Sequence, residues 1–246
     1  MDWFVLALLT AFFSASEAAW LKRFLAGLRP MEMAAYPVLY ALPLFSAGLL
    51  VIPTPEIQPG FWWAVAALLP LNILGYALHM RAIHESPISL TMPLLAFTPA
   101  FVILTGFLLL DELPSLFGAA GILGIVAGSY LLGVGGATRR LLDPVRAVWG
   151  DRGARFMLGA ALAYAFCGVV GKLMVLKSAP VFAGMLFFVV FALVFVPLAL
   201  LTRQARARAL VAHPLPGLGI GVIFGLHIVC HHAAIALTQA SYMMAV

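Results

Sequence analysis

The chain has 246 residues, of which 64% are hydrophobic and 9% charged, with a formal net charge of +5. Soluble domains carry about 25% charged residues, so a water-soluble globule is excluded: it could not hide this much apolar surface. The cations sit in short loops and form no basic stripe or aromatic-basic platform, which argues against a nucleic-acid binder.

Runs free of Asp, Glu, Lys and Arg divide the chain into blocks. Met33–Pro55 has 23 residues, Ile57–Met80 has 24, Ser86–Leu110 has 25, Leu113–Thr138 has 26, Phe156–Gly171 has 16, Ser178–Thr202 has 25 and Ala209–Val246 has 38. A shorter run, Trp3–Ser16, comes first. A helix needs about 20 apolar residues to cross roughly 30 Å of hydrocarbon, so the blocks predict a chain that folds in lipid.

In chain order the expected helices are Trp3–Leu21, Met33–Ile52, Phe61–Met80, Ile88–Leu110, Leu113–Leu132, Ala154–Leu176, Val181–Leu201 and Pro216–Leu237, with a ninth beginning near Ala240. The first is read as a membrane helix and not as a signal peptide, because Asp2 stands where a cationic n-region belongs. Trp62 and Trp63 open the third at an interface, as aromatic belts do. Cys167 and Cys230 both fall inside apolar spans, so inert buried thiols are expected and not a disulfide.

The longest connection, Gly133–Gly153, carries Arg139, Arg140, Arg146 and Arg152 and divides the chain. Sliding the sequence by 154 residues lays Ala7, Leu8, Ala11, Phe12 and Ala82 on Ala161, Leu162, Ala165, Phe166 and Ala236. The shared order of elements suggests a repeat: residues 1–134 as a first five-helix unit, 135–153 as a basic linker and 154–246 as a second unit. An odd number of helices per unit turns the second copy upside down, the inverted-repeat plan of secondary transporters. The expected fold is thus an all-α, polytopic helical membrane bundle of two inverted five-helix repeats. The second is incomplete, leaving eight full spans and the stub of a ninth, with roughly 40 residues absent by the repeat analogy.

Loops after the first, third, fifth and seventh spans hold 12 of the 14 Lys and Arg residues; Lys172 and Lys177 are the others. Positive-inside bias then puts the N-terminus outside and the divider in the cytoplasm.

Ionisable groups at bilayer depth are costly and are candidate sites. Glu17 and Lys172 occupy nearly matching places in the two halves. Either both snorkel to an interface or they form a charge pair lining a cavity, and Lys172 could equally hold an anionic substrate. His227, Cys230, His231 and His232 cluster on the eighth span. His227 and His231 are four apart and share a face; bundle-interior or proton-sensitive pocket roles fit them better than a metal site, which needs further ligands. His79 and His84 lie near the end of the third span, which suggests that spans three and eight face each other. Asn72 and Tyr76, one turn apart, and Tyr164 on the sixth span could read a small polar substrate by hydrogen bonds. The substrate-binding candidates are therefore Asn72, Tyr76, His79, Tyr164, Lys172, His227 and His231. No catalytic constellation, phosphate loop or cofactor motif is present in the sequence, so no enzyme and no cofactor are expected, and transport would draw on gradients.

Ser86–Leu132 spaces Pro99, Gly106, Glu112, Gly121 and Gly128 as an early proline, an acidic helix end and small residues through the next helix. Pro99 and Pro93 should bend the fourth span. Gly124-x-x-x-Gly128 and Gly217-x-x-x-Gly221-x-x-x-Gly225 should let helices approach closely. Asp111 and Glu112 should form a polar turn at the membrane surface, the alternative being a coupling-ion role. In this spacing the chain resembles the EamA-type drug/metabolite transporters. The resemblance implies a ten-helix bundle that carries small polar or amphipathic metabolites by alternating access, through a midplane pocket exposed as one half rocks on the other. It also implies cytoplasmic termini, against the arginine count, and a bacterial inner membrane. The rival expectations are a membrane redox or metal-binding protein using the histidines of spans three and eight, or a fragment that transports nothing.

Overall fold

The computed structural model describes residues 2–134 and 150–246, and among these every regular element is a helix. In chain order they are α1 (Trp3–Phe24), α2 (Pro30–Val51), α3 (Phe61–Glu85), α4 (Ile88–Leu95), α5 (Thr98–Leu110), α6 (Leu116–Val134), α7 (Arg152–Leu176), α8 (Pro180–Leu201), α9 (Ala207–Leu210), α10 (Pro214–Ile235) and α11 (Ala240–Met243). Taking α4 and α5 as one span, seven of the described segments are long and apolar enough to cross a membrane, and α6 adds the shorter apolar stretch Leu116–Ser129. The chain is an integral membrane protein of the polytopic helical class. Arg139, Arg140 and Arg146 of the expected linker lie outside the described residues.

Most helices fall within a few residues of their expected bounds, and the exceptions have local causes. The second starts at Pro30 and not Met33, because Pro is favoured in the first turn and Glu32 lies inside that turn as a cap. Glu32 Oε2 accepts a hydrogen bond from the Arg29 backbone N–H at 2.9 Å. The fourth expected span is interrupted between Leu95 and Thr98. Pro99 has no N–H to give the carbonyl four residues back, and the chain closes the gap with i→i+3 bonds, Ala96 N–H to Pro93 O and Phe97 N–H to Leu94 O.

The chain forms two compact units. The first takes Met1–Leu69 and Gly171–Thr238 with Val246; the second takes Pro70–Val170 and Gln239–Ala245. Each is therefore drawn from both sequence segments, and α3 and α7 contribute to both.

In the first unit α10 packs on α1, α2 and α8, and α2 also packs on α8. Glycines allow this approach: Gly217 lies under the Tyr40 ring, Gly219 under Trp20 and Gly225 under Leu44. A Cβ at Gly221 would stand 2.6 Å from the Tyr40 backbone carbonyl carbon. Without a hydrophobic drive between helices in lipid, such contacts carry much of the association. Fully buried Phe45, Phe187, Phe191, Phe195 and Phe224 fill the rest. Loops close each end. At one, Glu32 accepts bonds from Arg206 Nε at 2.7 Å and Nη2 at 3.1 Å. There the buried Tyr36 hydroxyl donates to Ala209 O at 2.8 Å and accepts from the His213 N–H at 3.1 Å. At the other, the Gln58 N–H donates to Lys177 O at 2.9 Å.

In the second unit α4 and α5 pack on α6, and α11 packs on α5. α3 meets α7 through Leu78 at Gly159 and Arg81 over the Phe156 ring. At this end Ser86 Oγ donates to Asp151 Oδ1 at 2.7 Å. The expected close packing at Gly124 and Gly128 is not found among the described residues: a Cβ at Gly121, Gly124 or Gly128 meets no atom within 4 Å. α6 instead turns Ile122 inward and leaves those glycines exposed.

Candidate functional site

The polar residues singled out in the sequence fall into two groups, one in each unit.

The first unit holds the ionisable group. Glu17 lies on α1, seven residues before its end at Phe24, about 10 Å along the axis. His227 lies on α10, eight residues before Ile235. Trp20 Nε1 donates to Pro216 O at 3.0 Å, which fixes these two helices side by side. His227 Nδ1 stands 3.2 Å from Glu17 Oε2, with the side chains 20% and 9% exposed. The contact is within hydrogen-bond reach and is charge-assisted when the imidazole is protonated. The His231 ring lies 6.2 Å from that of His227, edge to face.

His232 is committed to the helix itself. Its Nδ1 lies 2.9 Å from Ile228 O, and a carbonyl only accepts, so Nδ1 carries the proton. Its ring fills the space over Gly184 and meets Phe188 edge-on. Lys172 is buried, and its ammonium donates to Thr238 O at 2.8 Å, tying α7 to the chain just past α10.

The second unit holds a group without formal charge. Asn72, Tyr76 and His79 follow one face of α3 at i, i+4 and i+7, each half-buried. Tyr164 of α7 lies across that face, its ring against Gly75. Its hydroxyl shares a 3.1 Å hydrogen bond with His79 Nδ1, and the rings meet edge-to-face. The tautomer of His79 decides which of the two donates. Such a row of hydroxyl, amide and imidazole groups on a rigid helix suits hydrogen-bond reading of a small molecule.

Among the motif residues, Pro99 sits buried in the first turn of α5. Gly106 takes the Glu112 N–H on its carbonyl at 3.2 Å. Asp111 adopts the left-handed conformation that ends α5, with φ 55°, as short polar side chains tolerate. Glu112 Oε2 accepts from the Ala240 N–H at 3.3 Å, so its carboxylate caps the first turn of α11. Nearby, Gln239 Nε2 donates to Leu113 O at 3.4 Å, and the Ser115 N–H donates to the Tyr242 hydroxyl at 2.9 Å.

Sequence reasoning named Glu17 and His227 but did not join them, and it missed the Glu32, Tyr36 and Arg206 cluster. Glu32 left a signal, since it stands three residues after the helix-capping position. Nothing local marks Arg206 as its partner. No group of three or more His, Cys, Asp or Glu side chains among the described residues is placed to hold a metal ion.

The family model described as the EamA-like transporter family matches residues 1–134. No curated protein matches the chain. A solved chain described only as "Crystal structure of protein" superposes with a TM-score of 0.54 at 16% identity, covering 98% of this chain and 90% of that one. That likeness is one of fold alone.

Proposed function

This chain belongs to the EamA-like transporter family, and we propose that it is a gradient-driven secondary transporter carrying small polar or amphipathic metabolites by alternating access. The family match carries the reading: the chain is a membrane protein of a small-molecule transporter family, and that family is not one of enzymes. The proposed residence is a bacterial inner membrane.

The proposed substrate contacts are those of the two polar groups, Asn72, Tyr76, His79 and Tyr164 in one unit and Lys172, His227 and His231 in the other. The inverted-repeat organisation, 1–134 and 154–246 about a basic linker, is also proposed. It is supported by which helices touch. Exchanging each span for its counterpart five places on turns the α1–α10 contact into the α7–α3 contact, seen at Tyr164 and His79. The α2–α8 and α5–α11 contacts are each their own counterpart. The loop pair joined by Arg206 and Glu32 becomes the pair joined by Lys177 and Gln58. Each unit also keeps its cations mostly at one end: Arg29, Arg203, Arg206 and Arg208 in the first, Arg81, Arg152 and Arg155 in the second. That pattern supports the positive-inside reading of loop alternation.

The test is uptake and counterflow in proteoliposomes against a radiolabelled panel of amino acids, amines, nucleosides and sugars. At least one compound should enter faster than into protein-free liposomes. A panel that enters no faster in any case would overturn the reading.

A further inference from the structure

We propose that the arginine-bearing end of the first unit is a docking surface for anionic phospholipid headgroups, formed by Arg203, Arg206 and Arg208 with Arg29 beside them. It does not depend on the transporter reading.

Charge sets this end apart. Trp20 Nε1, which donates to Pro216 O, brings the last turn of α1, with Lys22 and Arg23, to the start of α10. Residues 20–32 and 199–216 together carry Lys22, Arg23, Arg29, Arg203, Arg206 and Arg208 against a single acid, Glu32. The opposite end has Lys177 against Asp2 and Glu56. Glu32 is fully buried and its carboxylate is already committed. Its Oε2 accepts from the Arg29 N–H and Arg206 Nη2, and its Oε1 from the Arg206 N–H and Nε. Arg23, Arg29, Arg203 and Arg208 are exposed, and none of them meets a carboxylate among the described residues. Their counter-charge comes from outside the chain.

The arginines are also held in place. Glu32 pins the Arg206 guanidinium from the buried side while the side chain stays 56% exposed, and Nη1 makes no hydrogen bond among the described residues. The Tyr36 hydroxyl ties down Ala209 O and the His213 N–H, which fixes the backbone that carries Arg206 and Arg208. Arg203 is set by a turn with φ 57°, closed by the Gln204 and Ala205 N–H groups on Ala199 O at 3.0 and 2.9 Å. A guanidinium fork matches two oxygens of a phosphate, and one already fixed loses less freedom on binding.

Apolar neighbours decide between a lipid and a free phosphate. Leu201, Val211 and Leu215 stand exposed along the same segment as the arginines. In a membrane-spanning chain, bare aliphatic side chains beside arginines at a helix end lie where hydrocarbon meets headgroups. A phosphate attached to acyl chains satisfies both, whereas a free phosphate uses only the arginines. Cations so placed each add to the attraction for an anionic leaflet.

The experiment titrates the full chain in a mild nonionic detergent with phosphatidylglycerol or phosphatidylcholine and reads bound lipid by native mass spectrometry. The wild type should hold phosphatidylglycerol about tenfold more tightly, and equal binding of the two lipids would overturn the proposal. Arg203→Gln/Arg208→Gln should lose this preference while keeping its elution volume and unfolding temperature; a preference retained in that variant would sink the assignment to these arginines. Arg152→Gln/Arg155→Gln removes as much charge from the second unit and should keep the preference. An equal loss there would reduce the effect to net charge and overturn the site. Glycerol phosphate at the concentration of the lipid should displace nothing; displacement would make this a free-phosphate site and overturn the lipid assignment. A salt series on the wild type needs no variant. Salt of about 1 M should shrink the preference, and a preference indifferent to salt would refute recognition by the arginines.

Discussion

The two compact units solve the same problem in lipid with different chemistry. The first is a tightly packed stack in which glycines seat α10 against α2 and a buried tyrosine ties its loops. Its functional candidates are ionisable: Glu17, His227, His231 and Lys172. The second is looser where α6 stands exposed, and its candidates form an uncharged row from Asn72 to Tyr164. Charged groups demand rigid, complete partnering inside a membrane, because each unmet charge costs several kcal/mol. An amide or hydroxyl tolerates exchange of partners at about 1 kcal/mol, which suits a row that releases its ligand.

The largest effect that would sharpen this contrast is steric. Gly221→Leu should destabilise the protein by about 3 kcal/mol or prevent its folding, because the new side chain meets the Tyr40 backbone. Gly124→Leu, in open space, should change stability by no more than about 0.5 kcal/mol. Thermal unfolding in detergent followed by size-exclusion profile reads both, and equal losses would break the comparison.

A smaller effect concerns two tyrosines that tie loops in the same way. Tyr36→Phe leaves the buried Ala209 carbonyl and His213 N–H without their hydroxyl partner and should cost about 1–3 kcal/mol. Tyr242→Phe loses an exposed bond to the Ser115 N–H, which water can replace, and should cost under about 1 kcal/mol. Denaturation of the two variants side by side settles their order.

The smallest effect is functional. Tyr164→Phe keeps the ring over Gly75 and removes the hydroxyl that meets His79. For a compound found by the panel, KM should rise up to about tenfold, the worth of one hydrogen bond, with stability nearly unchanged. An unaltered KM would take Tyr164 out of the substrate row.

Much of the fold was legible in the chain. The apolar blocks placed the helices, Pro99 and Pro93 marked the broken span, and the spacing from Pro99 to Gly128 pointed to the family later matched over residues 1–134. Within the candidate site, the one-face relation of Asn72 to Tyr76 followed from helical period alone. One expectation failed: Gly124 and Gly128 carry the same motif as Gly217 and Gly221, yet among the described residues only the latter meet a neighbouring helix. The His227 imidazole beside Glu17 and the Thr238 carbonyl at Lys172 are partners that spacing along the chain does not mark.

What the amino-acid sequence determined by itself was the solvent, the positions of the helices and the list of polar groups that lipid makes costly. These depend on hydropathy and backbone chemistry, which act along the chain. The tertiary structure alone decided the partners: that Glu32 binds a residue 174 positions away and His227 faces one 210 positions away. A helix carries its faces all round, and only packing selects which of them meets which.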